Sequence, residues 1–596
     1  MLDRLLRQII RFNHWRKGHL SQNTFLIIAA GLVGVLGGLA SSALKKLTHV
    51  VADYLQNDLQ GEHKFLLYFF FPIIGLFLTV AYLKLFIRRK PFRQGIPPLI
   101  NSILHRRSRL DLHNVYSQII SSAFTVGMGG SAGLESPAVA SGAAAGSNVG
   151  RLFGLNYRET TLLLACGGAA GISGAFDSPV AGLVFALEVL LPAFTIPAII
   201  PLLLASAVAS VISWMVYNRP LFAYIPGMAA VDSFWIYVLF GIAAGFFSVY
   251  YAYMNEAILK RLGRLKNAWA KAGLGGIALG ALIALFPALY GEGYISIQKL
   301  LSGDHGSLLA NSLFSAYQPH AWALLLYAAA TLLLKAVAPA ITMGSGGNGG
   351  MFGPSVVIGG LLGFVFAYGL NLTGLLHLNI THFVVVGMAG SISGVMHAPL
   401  TGVFLAAEIT GGYALMVPLM IVSAISFFIN KRIRKYSIYT KGLAEQGALV
   451  IGENQDEGLL SRLRVRSLAV RSDVILSPGD TATGRKEDIL RSDRSFFPVV
   501  DAANRLLGTI GVERLLEAAY SPDPTVRNRP LGEVAQPSTE LVRPDMPMHE
   551  VLLLMNQRGK HTLPVVDGQG YYVGYLSKDA IFNAYRKLLV EQGERA

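Results

Sequence analysis

The sequence predicts a polytopic, all-α membrane domain made of two related halves, followed by a smaller soluble α/β pair. Three observations carry this. Of the 596 residues 53% are hydrophobic and only 14% charged, against roughly 25% charged in ordinary soluble domains, so several segments belong in lipid. A set of glycines, prolines and glutamates in the first part recurs further on at a constant offset. A shorter proline-valine motif is itself duplicated in the last quarter of the chain, in a polar and mixed-charge background.

The spanning elements come first. Apolar stretches run from Thr24 to Ala43, Phe65 to Ile87, Ile196 to Tyr217, Phe234 to Tyr253, Trp322 to Ala340 and Tyr413 to Ile429, each near the ~20 residues a spanning helix needs. Other apolar pieces are shorter and interrupted by glycine, of which the chain has 64. They predict broken or re-entrant helices that line a protein-buried path. The net charge of +15 comes from Lys and Arg beside apolar segments, in Arg4 to Lys17, Lys84 to Arg109, Lys260 to Lys271 and Lys431 to Lys441. These read as positive-inside loops, which places both termini and everything after residue 440 in the cytoplasm, in a multi-pass protein of the cell membrane with lipid as its solvent. Nucleic acid is excluded as a partner, because no basic stripe interleaves with aromatics. The single cysteine, Cys166, allows no internal disulfide and reads as a small core residue. Arg4, Arg7, Arg11, Arg16 and Lys17 precede no cleavable apolar core, so the first span is expected to direct insertion.

The duplication organises the rest. Ile172-Ser173-Gly174, Pro179, Gly182 and Glu188 return as Ile392-Ser393-Gly394, Pro399, Gly402 and Glu408, all 220 residues on. Gly133-Leu134-Glu135-Ser136-Pro137 likewise has a counterpart in Gly350-Met351-Phe352-Gly353-Pro354, with Phe where the first copy has Glu. The expected domains are a transmembrane domain over 1–440, with halves at about 20–215 and 230–440, and a linker over 441–460. Two α/β units follow over 461–522 and 530–590, aligned by Phe497-Pro498-Val499-Val500-Asp501 with Gly508 and Leu563-Pro564-Val565-Val566-Asp567 with Gly574. Each unit reads as two short strands and a helix, starting near Glu513 and Lys578.

Glu135 is the strongest functional signal. A charge at the bilayer centre costs at least about 2.5 kcal/mol on insertion scales, so it persists where a cavity or pathway needs it. The glycines around it strip the backbone bare and leave N–H groups open at a helix start, where the positive end of the dipole holds an anion. A carboxylate there is a tethered stand-in for a mobile anion. Repeat halves often bring their broken helices together near mid-membrane, so the Glu135 and Phe352 turns are expected to meet.

On these residues the chain resembles the CLC family of chloride channels and chloride/proton antiporters, followed by a tandem pair of CBS domains. Three family signatures that build the anion path read here as Arg93-Gln94-Gly95-Ile96-Pro97, Gly133-Leu134-Glu135-Ser136-Pro137 and Gly350-Met351-Phe352-Gly353-Pro354, and the segment Ser391 to Tyr413 looks like the family's late helix. The resemblance implies inverted halves and a homodimer with a separate pore in each subunit. It implies Glu135 as the gating glutamate, which swings away when protonated or displaced. It implies Gln94, Gly95, Ile96, Gly133, Leu134, Met351 and Phe352 around the anion, and Tyr436 as the tyrosine holding the inner anion. Tyr439, three residues on, exchanges with Tyr436 on a small change of register.

Two departures bear on function. Gln94 stands where the family usually has serine, a longer amide that still donates to an anion, so nitrate or another anion stays beside chloride. The run Glu188-Val189 lacks the inner proton-transfer glutamate that antiporters generally carry at its second position. Glu188 and Glu408 then share a structural role, such as capping or pairing within each half. Passive anion conduction through a channel gated by Glu135 is the first reading, and a proton-coupled antiporter is the alternative. A CBS-regulated divalent-cation transporter is remote, since the intramembrane acids, chiefly Glu135, Asp177, Glu188, Glu292 and Glu408, are few and scattered. No enzyme is expected, because the soluble part has no His/Cys/Asp cluster, nucleophile elbow or phosphate-loop lysine. No cofactor is required. The second CBS copy keeps the family's nucleotide signature as Gly574, Ser577 and Asp579, whereas the first has Gly508, Gly511 and Glu513, so adenine nucleotide is the candidate ligand of one half-site and a ligand-free scaffold the plainer alternative.

Overall fold

The structure, a computed structural model, describes residues 11–594 other than 12, 14, 59–63, 88–91, 93, 106–107, 192–197, 218–221, 223–233, 311, 412, 447–459, 461–462 and 493. Arg4, Arg7, Arg93, Ile196 and most of the expected linker lie outside the described residues. The chain forms two compact units, 1–449 and 450–596. Lys441–Glu445, read from sequence as linker, is instead a short helix of the first unit, where Lys441 pairs with Glu256.

Eight helices among the described residues are long and apolar enough to cross a membrane. Two of them, Ala268–Leu285 and Phe352–Leu372, are not among the apolar stretches picked out above. Along the first helix, Gln22–Asp58, Ile28, Leu32, Leu36 and Leu39 are exposed at helical spacing. Trp235, Leu239, Ile242 and Phe246 do the same along Phe234–Gly263. Such apolar stripes suit acyl chains and would be costly in water.

Glycine sets the inner packing of both halves. Helix Glu135–Leu152 lies on Tyr157–Phe176, with Gly142 against the Gly167 backbone and Gly146 against the Leu163 carbonyl. Helix Phe352–Leu372 repeats the contact on Ile380–Met396, with Gly359 against Gly387 and Gly363 against Phe383. A Cβ at any of these glycines would overlap backbone, so helix axes this close require hydrogen there. The following turns match as well: Asp177 and His397 both close their helices in the left-handed region, at φ 56° and 58°.

The halves are locked by reciprocal caps. Glu188, at the end of the segment Pro179–Leu190, accepts from Leu400 N–H at 3.0 Å, Thr401 N–H at 2.8 Å and Thr401 Oγ1 at 2.7 Å, at the start of helix Pro399–Thr410. Glu408, in that helix, accepts from Val180 N–H at 3.0 Å and Ala181 N–H at 2.8 Å, at the start of helix Pro179–Phe185. Each carboxylate satisfies orphan donors of the other half, with the dipole in its favour. The capping expected within each half is therefore exchanged between the halves, the reciprocity of a two-fold relation.

In the second unit, β1 Phe496–Val500 pairs antiparallel with β2 Leu506–Gly511, and β3 Thr562–Val566 with β4 Tyr572–Ser577. Helices Val512–Ala519 and Lys578–Glu594 follow the second strand of each copy. Leading segments cross over: Val470 bridges Tyr575 of the second copy, and Gln536 bridges Thr509 of the first. The cores follow that exchange, since Leu531, Val534 and Ala535 pack with Phe497 and Ile510, while Leu463 and Val465 pack with Leu563 and Ile581. The units thus interleave across the boundaries drawn at 461–522 and 530–590.

Candidate anion site

Two helix starts, one from each half, meet back to back. Gly133 N–H donates to the Gly350 carbonyl at 3.0 Å and Gly350 N–H to the Gly133 carbonyl at 2.9 Å, a two-bond antiparallel bridge. The helices Glu135–Leu152 and Phe352–Leu372 leave from either side of it. The turns expected to converge do converge. The Gly133 N–H is nevertheless spent on the bridge, which corrects its expected place among the anion donors.

Side chains from the first half fix the second turn. Asn348 N–H donates to Thr125 Oγ1 at 2.9 Å, and Asn348 Nδ2 lies 2.8 Å from Ser121 Oγ and 2.9 Å from both Ser122 Oγ and Gln118 Oε1. Met351 is held through its sulfur by Asn255 Nδ2 at 3.0 Å and Tyr251 Oη at 3.2 Å. The N–H groups of Met351 and Phe352 have no partner among the described residues.

Glu135 closes this junction. The residue is 2% exposed, with Oε2 accepting from Gly353 N–H at 3.1 Å and Oε1 from Tyr294 Oη at 2.5 Å. A carboxylate of the first half thus caps the helix start of the second, the position an anion bound by that dipole would take. Gly353 makes room for it: a Cβ there would lie 2.8–2.9 Å from both carboxylate oxygens and 2.8 Å from Tyr294 Oη. Phe352 is fully buried, its ring 5.7 Å from Phe176 and 5.9 Å from Phe185.

The tyrosine at this site is Tyr439. Its hydroxyl lies beside Ser136 within range of the Glu135 charge, and Tyr439 Oη and Ser136 Oγ are both buried. Tyr436, expected there, is half-buried in an outer groove with Phe246, Tyr250 and Tyr253, with Lys435 Nζ 5.8 Å from its ring. After helix Met416–Ile433 the chain turns extended at Arg434, and Ile438 N–H ties it to Val395 O at 3.3 Å. Ser437 and Tyr439 then face inward and Tyr436 outward.

The remaining expected residues lie at or beside helix starts. Gly95 and Ile96 are buried at the start of helix Pro97–Leu104, with Gly95 at φ 74°. Ile96 shares the apolar cluster of Met351, Phe352 and Tyr439. Gln94 is half-buried and makes no polar contact with Glu135 among the described residues. Leu134 is buried as the N-cap of the Glu135 helix.

Sequence reasoning missed Tyr294 and Lys335. Lys335 is fully buried and donates to Ser131 Oγ at 2.9 Å, Gly291 O at 3.2 Å and Leu289 O at 3.3 Å. A lysine inside the apolar run Trp322 to Ala340 was a visible signal, whereas nothing in Gly291-Glu292-Gly293-Tyr294 marked the tyrosine. Of the other intramembrane acids, Asp177 faces Lys45 at 3.6 Å and Glu292 faces His49 at 3.6 Å. No group of three His, Cys, Asp or Glu among the described residues could hold a metal. In the tail, Ser577 Oγ accepts from Ala580 N–H at 3.1 Å and so starts the last helix, where Asp579 is exposed.

Comparison with known proteins agrees with this architecture. The family described as Voltage gated chloride channel matches residues 75–431, and a CBS domain matches 531–587. A ClcB-like protein of Ralstonia nicotianae, whose name carries the words chloride channel, is 27% identical over 70% of this chain and 96% of its own. The H(+)/Cl(-) exchange transporter ClcA of Klebsiella pneumoniae is 27% identical over 71% and 90%. Among solved structures, a CLC-type fluoride/proton antiporter aligns with a TM-score of 0.57 at 26% identity, over 70% of this chain and 97% of that one. A slow cyanobacterial Cl-/H+ antiporter shares the fold with a TM-score of 0.61 at 22% identity, over 72% and 99%. With more than half its length matched, this membrane-embedded, multi-span chain belongs to the CLC family of voltage gated chloride channels and anion transporters, and carries CBS architecture in its tail.

Proposed function

We propose that the protein exchanges chloride or another small anion for protons across the cell membrane, with Glu135 as both gate and proton carrier. One observation carries the reading: the Glu135 carboxylate sits on the Gly353 N–H where the two helix starts meet. A carboxylate and an anion compete for such donors, so protonation removes the competitor and opens the site. Leu134, Met351 and Phe352 at the helix starts, Tyr439 with Ser136, and Gln94, Gly95 and Ile96 leading into helix Pro97–Leu104 are the proposed surroundings of the anion. Exchangers named among the relatives, ClcA and the fluoride/proton antiporter, support coupling over the passive conduction that the sequence alone favoured.

Passive conduction is the second reading, and one residue favours it. Val189 offers no carboxylate for an inner proton relay, and Glu188 beside it is engaged by three donors of the opposite half. In the exchange reading, water and hydroxyls serve that inner step. A homodimer, cytoplasmic termini and an adenine nucleotide at Ser577 and Asp579 belong to the same proposal, supported by the family, the basic clusters and the CBS motif respectively.

The test is a flux measurement. In reconstituted vesicles an imposed chloride gradient drives protons uphill in an exchanger, and the absence of proton movement alongside robust chloride flux would establish the channel reading instead. Chloride, nitrate and fluoride run in parallel rank the anions.

A further inference from the structure

We propose that Tyr294 is a positioning residue of the gate: its hydroxyl holds the ionised Glu135 carboxylate in the anion site and so sets the pH at which the gate lets go. The inference rests on the reading of Glu135 as the gate.

The geometry is that of a two-armed clasp. Gly353 N–H holds one carboxylate oxygen at 3.1 Å and Tyr294 Oη the other at 2.5 Å. The two arms come from different elements, the Phe352 helix and the segment that begins helix Tyr294–Leu301. Tyr294 is itself immobilised, 5% exposed, with its ring edge-on to Phe222 at 5.8 Å and to Phe176 at 6.2 Å. A phenol donating to an ionised carboxylate makes a charge-assisted bond, about twice as strong as one to a neutral carboxyl. The clasp therefore grips the charged gate and slackens on the protonated one.

Lys335 aligns the two sides of the clasp. Its ammonium joins Ser131, four residues before Glu135, to the Gly291 carbonyl, three residues before Tyr294. Gly291 N–H adds a bond to the Gly129 carbonyl at 3.2 Å. Gly293, at φ 91°, then turns the chain so that Tyr294 opens its helix toward Glu135, a conformation that suits glycine. The other ionisable groups within range of Glu135 are Glu292 from the same segment and Tyr439 from the chain after helix Met416–Ile433. Behind them stand Lys335, and His49 of the first helix paired with Glu292.

The experiment is the pH profile of anion efflux from vesicles for wild type, Tyr294→Phe, Lys335→Met, Glu135→Gln and the Tyr294→Phe/Glu135→Gln double variant. Loss of one charge-assisted hydrogen bond corresponds to about one pH unit. The expected result is an upward shift of the half-maximal pH by that amount in Tyr294→Phe, with the acid-limit efflux unchanged. Lys335→Met should move the midpoint in the same direction, which keeps the inference open to test if the tyrosine variant does not fold. The double variant should match Glu135→Gln. A wild-type midpoint in both single variants, a uniform drop at every pH, or a shift that persists without the Glu135 charge would overturn the clasp. Steep pH dependence remaining in Glu135→Gln would instead overturn the gating reading on which it rests, so the two failures are distinguishable.

Discussion

Replacing Glu188 by alanine should destabilise the membrane domain by about 3 kcal/mol. The Glu188 carboxylate takes three hydrogen bonds at 2.7–3.0 Å from Leu400 and Thr401. Thr401 is fully buried, so its N–H is left without a partner, while its hydroxyl is free to rotate. An orphaned buried donor costs about 1–3 kcal/mol, and the carboxylate also loses its attraction to the helix dipole, about 0.3–1 kcal/mol. The middle of that range for the Thr401 N–H, with the dipole loss added, gives about 3 kcal/mol. Glu188→Gln keeps one acceptor oxygen and should cost about half as much. Glu408→Ala, which frees only the Val180 and Ala181 N–H groups, should fall between the two, at about 2 kcal/mol. Thermal unfolding in detergent reads this order directly. The reasoning is refuted by Glu188→Gln that unfolds like wild type yet loses proton coupling, since that would put Glu188 on the proton path rather than in a cap.

Three further outcomes follow from the geometry. Tyr439→Phe should weaken chloride binding about tenfold, the worth of one hydrogen bond, and Tyr436→Phe should leave it unchanged in calorimetry; the reverse pattern would restore Tyr436 to the site. Gly574→Ala and Gly508→Ala should each lower the unfolding temperature of the tail, because the added Cβ meets the crossing strand at 2.8 Å from Val470 O and 2.5 Å from Gln536 O; an unshifted transition would contradict the interleaved packing. Asp579→Ala should abolish binding of adenine nucleotide, and unaltered binding heat would remove that residue from any nucleotide site.

What the sequence made legible is what the duplication wrote twice. Gly182 and Gly402, Glu188 and Glu408, and the paired turns at Glu135 and Phe352 could be aligned by offset alone, and each pair occupies matching places in the fold. What crosses between the copies was hidden. Offsets show that Glu188 and Glu408 are equivalent, but not that each caps the other's helix, nor that Val470 and Gln536 exchange strands between the tail units. A bare N–H at Gly133 was a fair inference from a glycine run, yet its pairing with Gly350 depends on tertiary approach. Helix Phe352–Leu372 was overlooked as a span because its glycines read as interruptions, whereas Gly359 and Gly363 are helix contacts. Tyr294 was beyond reach, since its role exists only where a distant loop is held against Glu135.

Chloride binding measured against pH, in wild type and Glu135→Gln, addresses the competition at the junction most directly. Wild type should bind chloride more tightly as pH falls, and Glu135→Gln should bind at the acid-limit affinity at every pH. Equal pH dependence in the two proteins, or a Gln variant that binds no more tightly than wild type at neutral pH, would mean that the carboxylate and the anion do not contend for the same amides.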